Sequence, residues 1–271
     1  MITDNVSPML SAYVNGISLI GPGLKSWPES ISVFTKRIAY RPQPTIVPVP
    51  MILPATERRR SGELVKLTLA VGLEAAEAAG QDPASLTCVY TSSSGDGKNC
   101  HEICKTLASD DRQLSPTRFH NSVHNAAAGY WSIATGAKTP ISVLCAYDAS
   151  FGAGLLETIT QVVADKVSTI LIAVDTAYPE PLNHVRPIPD ALGIAMVFSP
   201  TKTEHSIAKV DIQLSTAGAS TLSIKELESL RTTIPAARGL PLLAAIAQGQ
   251  TKTINLDYLD QKRIAVTVDS Y

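Results

Sequence analysis

The sequence has almost no charge excess. Its 23 basic and 24 acidic side chains leave a net charge of −1, so it carries no electrostatic footprint for nucleic acid. The basic cluster Arg58-Arg59-Arg60 reads as a solvated helix start or, functionally, as a docking point for an acidic partner. There is no apolar run long enough to span a membrane. Met1–Pro8 is polar, without an apolar leader region. These absences predict a soluble, cytoplasmic protein. Cys88, Cys100, Cys104 and Cys145 are too few and too irregular for a disulfide framework. Charged residues are only 17% against 45% hydrophobic, which excludes disorder and hints at a buried subunit interface. Tandem repeats, low-complexity tracts and linkers are lacking, and 271 residues suffice to bury a sizeable core.

What is present is an α/β alternation. Residues 13–20 alternate and end at Gly21-Pro22-Gly23, a first strand and turn. Pro42, Pro44, Pro48, Pro50 and Pro54 make residues 41–54 an extended arm. Leu64, Leu67, Val71, Ala75 and Ala78 recur at helical spacing, predicting a helix over 63–79 stopped by Gly80. A buried strand over 86–90 precedes helices over 101–108 and 122–135. Strand 141–146, helix 150–164 and the apolar strand 169–174 follow. Further strands are predicted at 192–198, 208–214, 253–256 and 264–268. A capping box of Ser223 and Glu226 starts a short helix, and 239–247 is a final apolar helix. Apolar strands buried on both faces belong to a sheet covered by helices. The expectation is one α/β domain with a mixed sheet.

Four constellations could carry chemistry. The loop Ser92-Ser93-Ser94-Gly95-Asp96-Gly97 lacks the spacing of a phosphate cradle and reads as a strand-to-helix turn. Cys100, His101 and Cys104 have no second ligand pair, and His101 points away from the face the cysteines share, so no metal is expected. In Ser115–Trp131, His120 and His124 are either acid–base groups or backbone-bonding residues at a subunit interface. The lack of an accompanying nucleophile favours the second reading. Residues 141–156 read as strand, sharp turn and helix, the layout of a nucleophile elbow, but offer Tyr147, Asp148 and Ser150 at the turn. Cys145 is read as lying inside the apolar strand, where a buried thiol is inert.

These landmarks together resemble the N-terminal half of a β-ketoacyl synthase of the thiolase fold. The similarity rests on the opening strand with Gly21-Pro22-Gly23, on Pro54–Arg60 with the helix after it, on Ser115–Gly129, on the elbow at 141–156 and on strand 169–174. Phe119-His120-Asn121-Ser122-Val123-His124-Asn125 is similar to short ketosynthase-like proteins of aryl polyene gene clusters, which act as chain length factors. The resemblance runs to about Asp175 and returns over Pro235–Ala247. It implies a truncated thiolase-like (ketosynthase) fold with layered helices. The N-terminal half, about 1–175, is expected near complete and the remainder, about 176–271, reduced.

Working ketosynthases use an elbow cysteine for thioester transfer and two histidines in the C-terminal half. Here the cysteine position falls at Tyr147 or Ser150, and only His184 and His205 follow the elbow. The resemblance therefore implies no catalytic residue and no cofactor. It implies a partner ketosynthase, in a heterodimer or higher assembly of a polyketide or fatty-acid-like system, and an acyl carrier protein bearing the chain. Phe119, His120, Asn121, His124, Asn125, Tyr130, Trp131 and Phe151 are then the expected interface and tunnel residues. The alternative is a serine acyltransferase or hydrolase using Ser150 with His120 or His124 as base; a homodimeric scaffold is the third reading.

Overall fold

A computed structural model describes residues 9–271; the polar segment Met1–Pro8, read above as lacking a leader, lies outside the described residues. In chain order the elements are β1 (Leu10–Ile20), α1 (Trp27–Phe34), α2 (Ala55–Arg60), α3 (Glu63–Ala78), β2 (Thr87–Thr91), α4 (Gly97–Leu107), α5 (Pro116–His120) and α6 (Ala126–Thr135). Then come β3 (Ile141–Leu144), α7 (Ser150–Asp165), β4 (Thr169–Asp175), α8 (Leu182–Val185), β5 (Leu192–Ser199) and β6 (Ala208–Ser215). The chain closes with α9 (Lys225–Thr233), α10 (Leu240–Ala247), β7 (Lys252–Asp257) and β8 (Arg263–Ser270). No helix among the described residues is long and apolar enough to cross a membrane.

The strands form one mixed sheet in the order β3-β2-β4-β5-β1-β6-β8-β7. β2, β3 and β4 are parallel, and the remaining pairs are antiparallel. Central strands β4 and β5 are buried along their whole length, as their unbroken apolar sequences require when helices cover both faces. α7, α10, α1 and the 3₁₀ turn Pro235–Gly239 cover one face. α3 and α6 cover the other. The layered α/β architecture with a mixed sheet is that expected from the sequence.

Several local readings need correction. The helix predicted over 122–135 is two: Ser115 caps α5 at the Arg118 N–H, and α6 restarts at Ala126. Between them Asn121 donates to the Arg60 carbonyl and Ser122 to the Phe119 carbonyl, so these side chains compete with helix continuation. α4 starts four residues earlier than predicted because Asp96 accepts from the Asn99 N–H as its cap. α9 has no capping box; Glu228, not Glu226, reaches back, to the Leu222 N–H. Arg58-Arg59-Arg60 close α2 rather than start a helix, a placement the helix dipole favours. α1 was missed, although Ser26, Pro28 and Glu29 are a start signal; Ser26 caps it.

Parallel β2, β3 and β4 bring the loops at their C-terminal ends together. There the Asp175 carboxylate, buried at the end of β4, accepts from the Ser92 hydroxyl, the Ser93 N–H and hydroxyl, and the Ala236 N–H. Burial raises its pKa above the ordinary carboxylate value against the pull of those donors. The glycine–serine loop thus turns its donors onto Asp175, which accounts for them without a phosphate. Asp175→Ala leaves buried backbone N–H groups on two segments without an acceptor. It is expected to lower stability by at least about 3 kcal/mol, read from the denaturation midpoint. A loss under about 1 kcal/mol would show that the carboxylate does not tie these segments.

Candidate functional site

The elbow is built by β3, a 3₁₀ turn over Tyr147–Ala149 and α7. Tyr147 sits at its apex with φ of 52°, in the left-handed region that non-glycine residues adopt only under constraint. Ser150, the other position left open by the sequence, has ordinary helical backbone with φ of −55°, so the left-handed residue of this turn is Tyr147.

Ser150 is buried, and its hydroxyl donates to the Tyr147 carbonyl (2.7 Å) and accepts from the Ala146 N–H (3.1 Å). It fastens the turn, and no histidine is among its hydrogen-bond partners. The triad needed by the serine-enzyme alternative is therefore not assembled. Cys145 was expected inside the strand and inert by burial. It instead lies just past β3, is exposed, and donates its thiol to the Ser93 carbonyl at 3.0 Å.

Tyr147 is 60% exposed, yet it is covered on one side. The Arg186 guanidinium, on the segment after α8, stacks 3.7 Å from the ring centroid. Arg186 also pairs with Asp148 at 2.7 Å and donates to the Tyr178 hydroxyl at 2.8 Å. Burial opposes its charge, but Asp148 and the two phenols outweigh that and raise its pKa. Asp148 further faces Arg238 (3.8 Å), which pairs with Asp257 (3.0 Å). Asp257 in turn holds Arg231 (2.6 Å), which holds Glu228 (2.6 Å). Asp148, Arg186, Arg238, Asp257, Arg231 and Glu228 are thus linked in one chain of opposite-sign pairs. A cleft of about 310 Å³ opens between this chain of ion pairs and the β7–β8 loop.

The Phe119–Phe151 set divides in two. Phe119 is 66% exposed, with His120 and Asn125 also exposed. Together with Val123, Gly129, Tyr130 and Ile133 they line an open, largely apolar groove of about 520 Å³. His124 is half-buried and bonds the Ser92 carbonyl at 3.0 Å, its ring edge-on to Tyr90, so it acts on a loop backbone. Tyr130 is buried beside α2, where burial and then Glu57 push its phenol above the ordinary pKa. Trp131 and Phe151, expected at an interface or tunnel, lie in this chain's own core. Trp131 packs on Gly72 of α3 and Phe151 on Gly239, positions where an added Cβ would collide with the rings. Their burial follows from facing inward from α6 and α7, which sequence spacing alone did not resolve. Sequence reading also missed Arg186: nothing in Leu182–Pro189 marks it until the fold lays it over Tyr147.

β3 is an edge strand, hydrogen-bonded only to β2, with all its side chains half-buried. Among the described residues no three His, Cys, Asp or Glu side chains converge to hold a metal ion.

The sequence profile of the β-ketoacyl synthase N-terminal domain matches residues 35–256. No curated protein sequence matches. Among solved structures, the ketosynthase ApeO in complex with its chain length factor ApeC from Xenorhabdus doucetiae is similar over 95% of this chain and 99% of that chain, at 20% identity and TM-score 0.73. The ishigamide ketosynthase/chain length factor is similar over 96% and 99%, at 12% identity and TM-score 0.71. AntDE:AntF, a type II PKS acyl-carrier protein in complex with its ketosynthase bound to the hexaketide, gives 97% and 100%, 10% identity and TM-score 0.75. The fold is thus the thiolase-like ketosynthase fold.

The strain at Tyr147 has a measurable consequence. Glycine tolerates φ of 52° and alanine does not, and both lose the stacking with Arg186. Tyr147→Gly is expected to be more stable than Tyr147→Ala by about 1 kcal/mol, in thermal or denaturant unfolding. The reverse order would remove the strained-elbow assignment.

Proposed function

The chain belongs to the β-ketoacyl synthase family, through that family's N-terminal domain, and on that premise we propose that it is a non-catalytic chain length factor. It pairs with an active ketosynthase in a type II polyketide or fatty-acid-like system of the aryl polyene kind and works in the cytoplasm. It acts as one ketosynthase-like domain, near complete to about residue 175 and reduced beyond.

The observation that carries this reading is Tyr147. The strained elbow position, where a condensing enzyme needs a thiol, holds a phenol under an ion-paired guanidinium. A phenol there cannot form the acyl thioester, and Ser150 is committed to the turn. What the chain offers instead is surface. Edge strand β3 leaves one side free for a partner strand, and Phe119, Val123 and Ile133 stand exposed along the α5–α6 groove. A ketosynthase seated there buries apolar area, and Phe119 reaches into the partner's acyl tunnel and sets its depth. At the neighbouring cleft, where Arg60 and Arg118 pair with Glu57 and Glu102, Arg59 and Lys98 offer cations to the acidic carrier protein that brings the chain.

The decisive test is reconstitution with the ketosynthase encoded beside it. Tyr147→Ala and Ser150→Ala are expected to leave condensing activity of the assembled complex within a few-fold. A loss of several orders of magnitude with the complex intact would assign catalysis to this chain. Phe119→Ala is expected to lengthen the product by about one two-carbon unit, read by mass spectrometry, because it vacates volume in a packed site. Unchanged length with the complex intact would remove Phe119 from length control.

A further inference from the structure

The proline-rich arm between α1 and α2 is a part of the surface that the reading above does not use. Its N-terminal part is pinned. The Gln43 carbonyl accepts from the Gly23 N–H (2.9 Å), the Thr45 N–H donates to Asp190 (3.1 Å), and the Thr45 hydroxyl donates to the Ala191 carbonyl (2.7 Å). Val47 and Leu53 pack onto the core beside α3. Ile46, Val49, Met51 and Ile52 turn outward, with Ile46 at 77% and Met51 at 74% exposure. Four large apolar side chains within seven residues of anchored chain form an apolar strip, the kind of surface that marks a contact site.

Proline spacing decides how the strip can be met. The Thr45 N–H is taken by Asp190 inside the protein, while Pro42, Pro44 and Pro48 stand exposed on the outer edge with no N–H to offer, and Pro50 is buried. Such an edge resists addition of a β-strand. A partner must engage the arm through side chains.

The strip is tied through α2 to the segment that bears the groove. Arg58 of α2 reaches back to the Met51 sulfur and the Leu53 carbonyl, and the Arg60 carbonyl accepts from Asn121. A helix the length of α2 spans only about 9 Å, so one partner face can reach from Met51 to the groove. Scaled by their exposures, the four arm side chains with Phe119, Val123 and Ile133 present on the order of 800 Å², about what one side of a standard-size pair buries, and the groove supplies less than half of it.

We propose that Ile46, Val49, Met51 and Ile52 are a second contact surface for the same ketosynthase subunit that seats on β3 and the groove. The inference rests on the pairing proposed above and adds a segment to it. The arm clasps the partner's flank and contributes as much to binding as the groove does.

The test measures affinity of the full chain for its neighbouring ketosynthase, by titration calorimetry or interferometry. Three chains are compared: wild type, the double variant Ile46→Asp/Met51→Asp, and Phe119→Asp. Both arm positions are exposed, so the double variant is expected to keep its circular dichroism and melting temperature. It is expected to bind at least tenfold more weakly than wild type. Affinity unchanged within twofold, while Phe119→Asp weakens it, overturns the arm contact and leaves the pairing standing. Absence of ketosynthase binding by wild type overturns the pairing itself. Self-association of wild type that the double variant abolishes, with ketosynthase affinity unchanged, assigns the arm to a second copy of this chain and also overturns the proposal.

Discussion

Asp175 forms no ion pair with a cation among the described residues, yet its carboxylate is enclosed where three stretches of chain meet. Such a group is tolerated only because donors from β2's loop and from Ala236 replace the water it has lost. The elbow depends on this knot. With the loop after β2 fixed, its Ser92 and Ser93 carbonyls take His124 and Cys145, and the turn of Tyr147 is held against them. The 3₁₀ turn over Pro235–Gly239 is drawn onto the sheet by the same carboxylate, which brings Arg238 to Asp148. One buried carboxyl group therefore ties together the loops that frame the elbow.

That site keeps the form of a nucleophile elbow and fills it differently. The strand, strained apex and helix are present, but the apex phenol, Arg186 and the chain of ion pairs from Asp148 to Glu228 occupy the space around it. Most of these pairs are half-buried. Their value lies less in net stability than in matching these charges to one another beside a strained turn. The polar effort of the fold is spent on closing the elbow, and its apolar surplus is left on the outside, at Phe119, Val123, Ile133 and along the arm.

Much of this was readable beforehand, for identifiable reasons. β4 and β5 are unbroken apolar runs and α3 repeats its apolar residues at helical spacing, so type and approximate limits followed from periodicity. The α5–α6 break was not, because it depends on Asn121 finding the Arg60 carbonyl sixty-one residues away. The exposure of Cys145 was misread because β3 is an edge strand, half-buried throughout and ending at Leu144, and an apolar run reads the same at an edge as in the centre of a sheet.

The sequence by itself determined the absences and the alternation: a chain without charge excess or a membrane-length apolar run, one mixed α/β sheet, and an elbow whose turn offers Tyr147, Asp148 and Ser150 but no cysteine. These are properties of local composition and spacing, which need no distant contact. Only the tertiary structure decided which of Tyr147 and Ser150 stands at the apex, since φ at a turn is imposed by what packs on both sides of it. It alone placed Trp131 and Phe151 in the core while leaving Phe119 outside, because one helical pattern fits either face until the sheet supplies a direction. And it alone brought Arg186 over Tyr147, thirty-nine residues along the chain, where opposite charge and an aromatic face hold it.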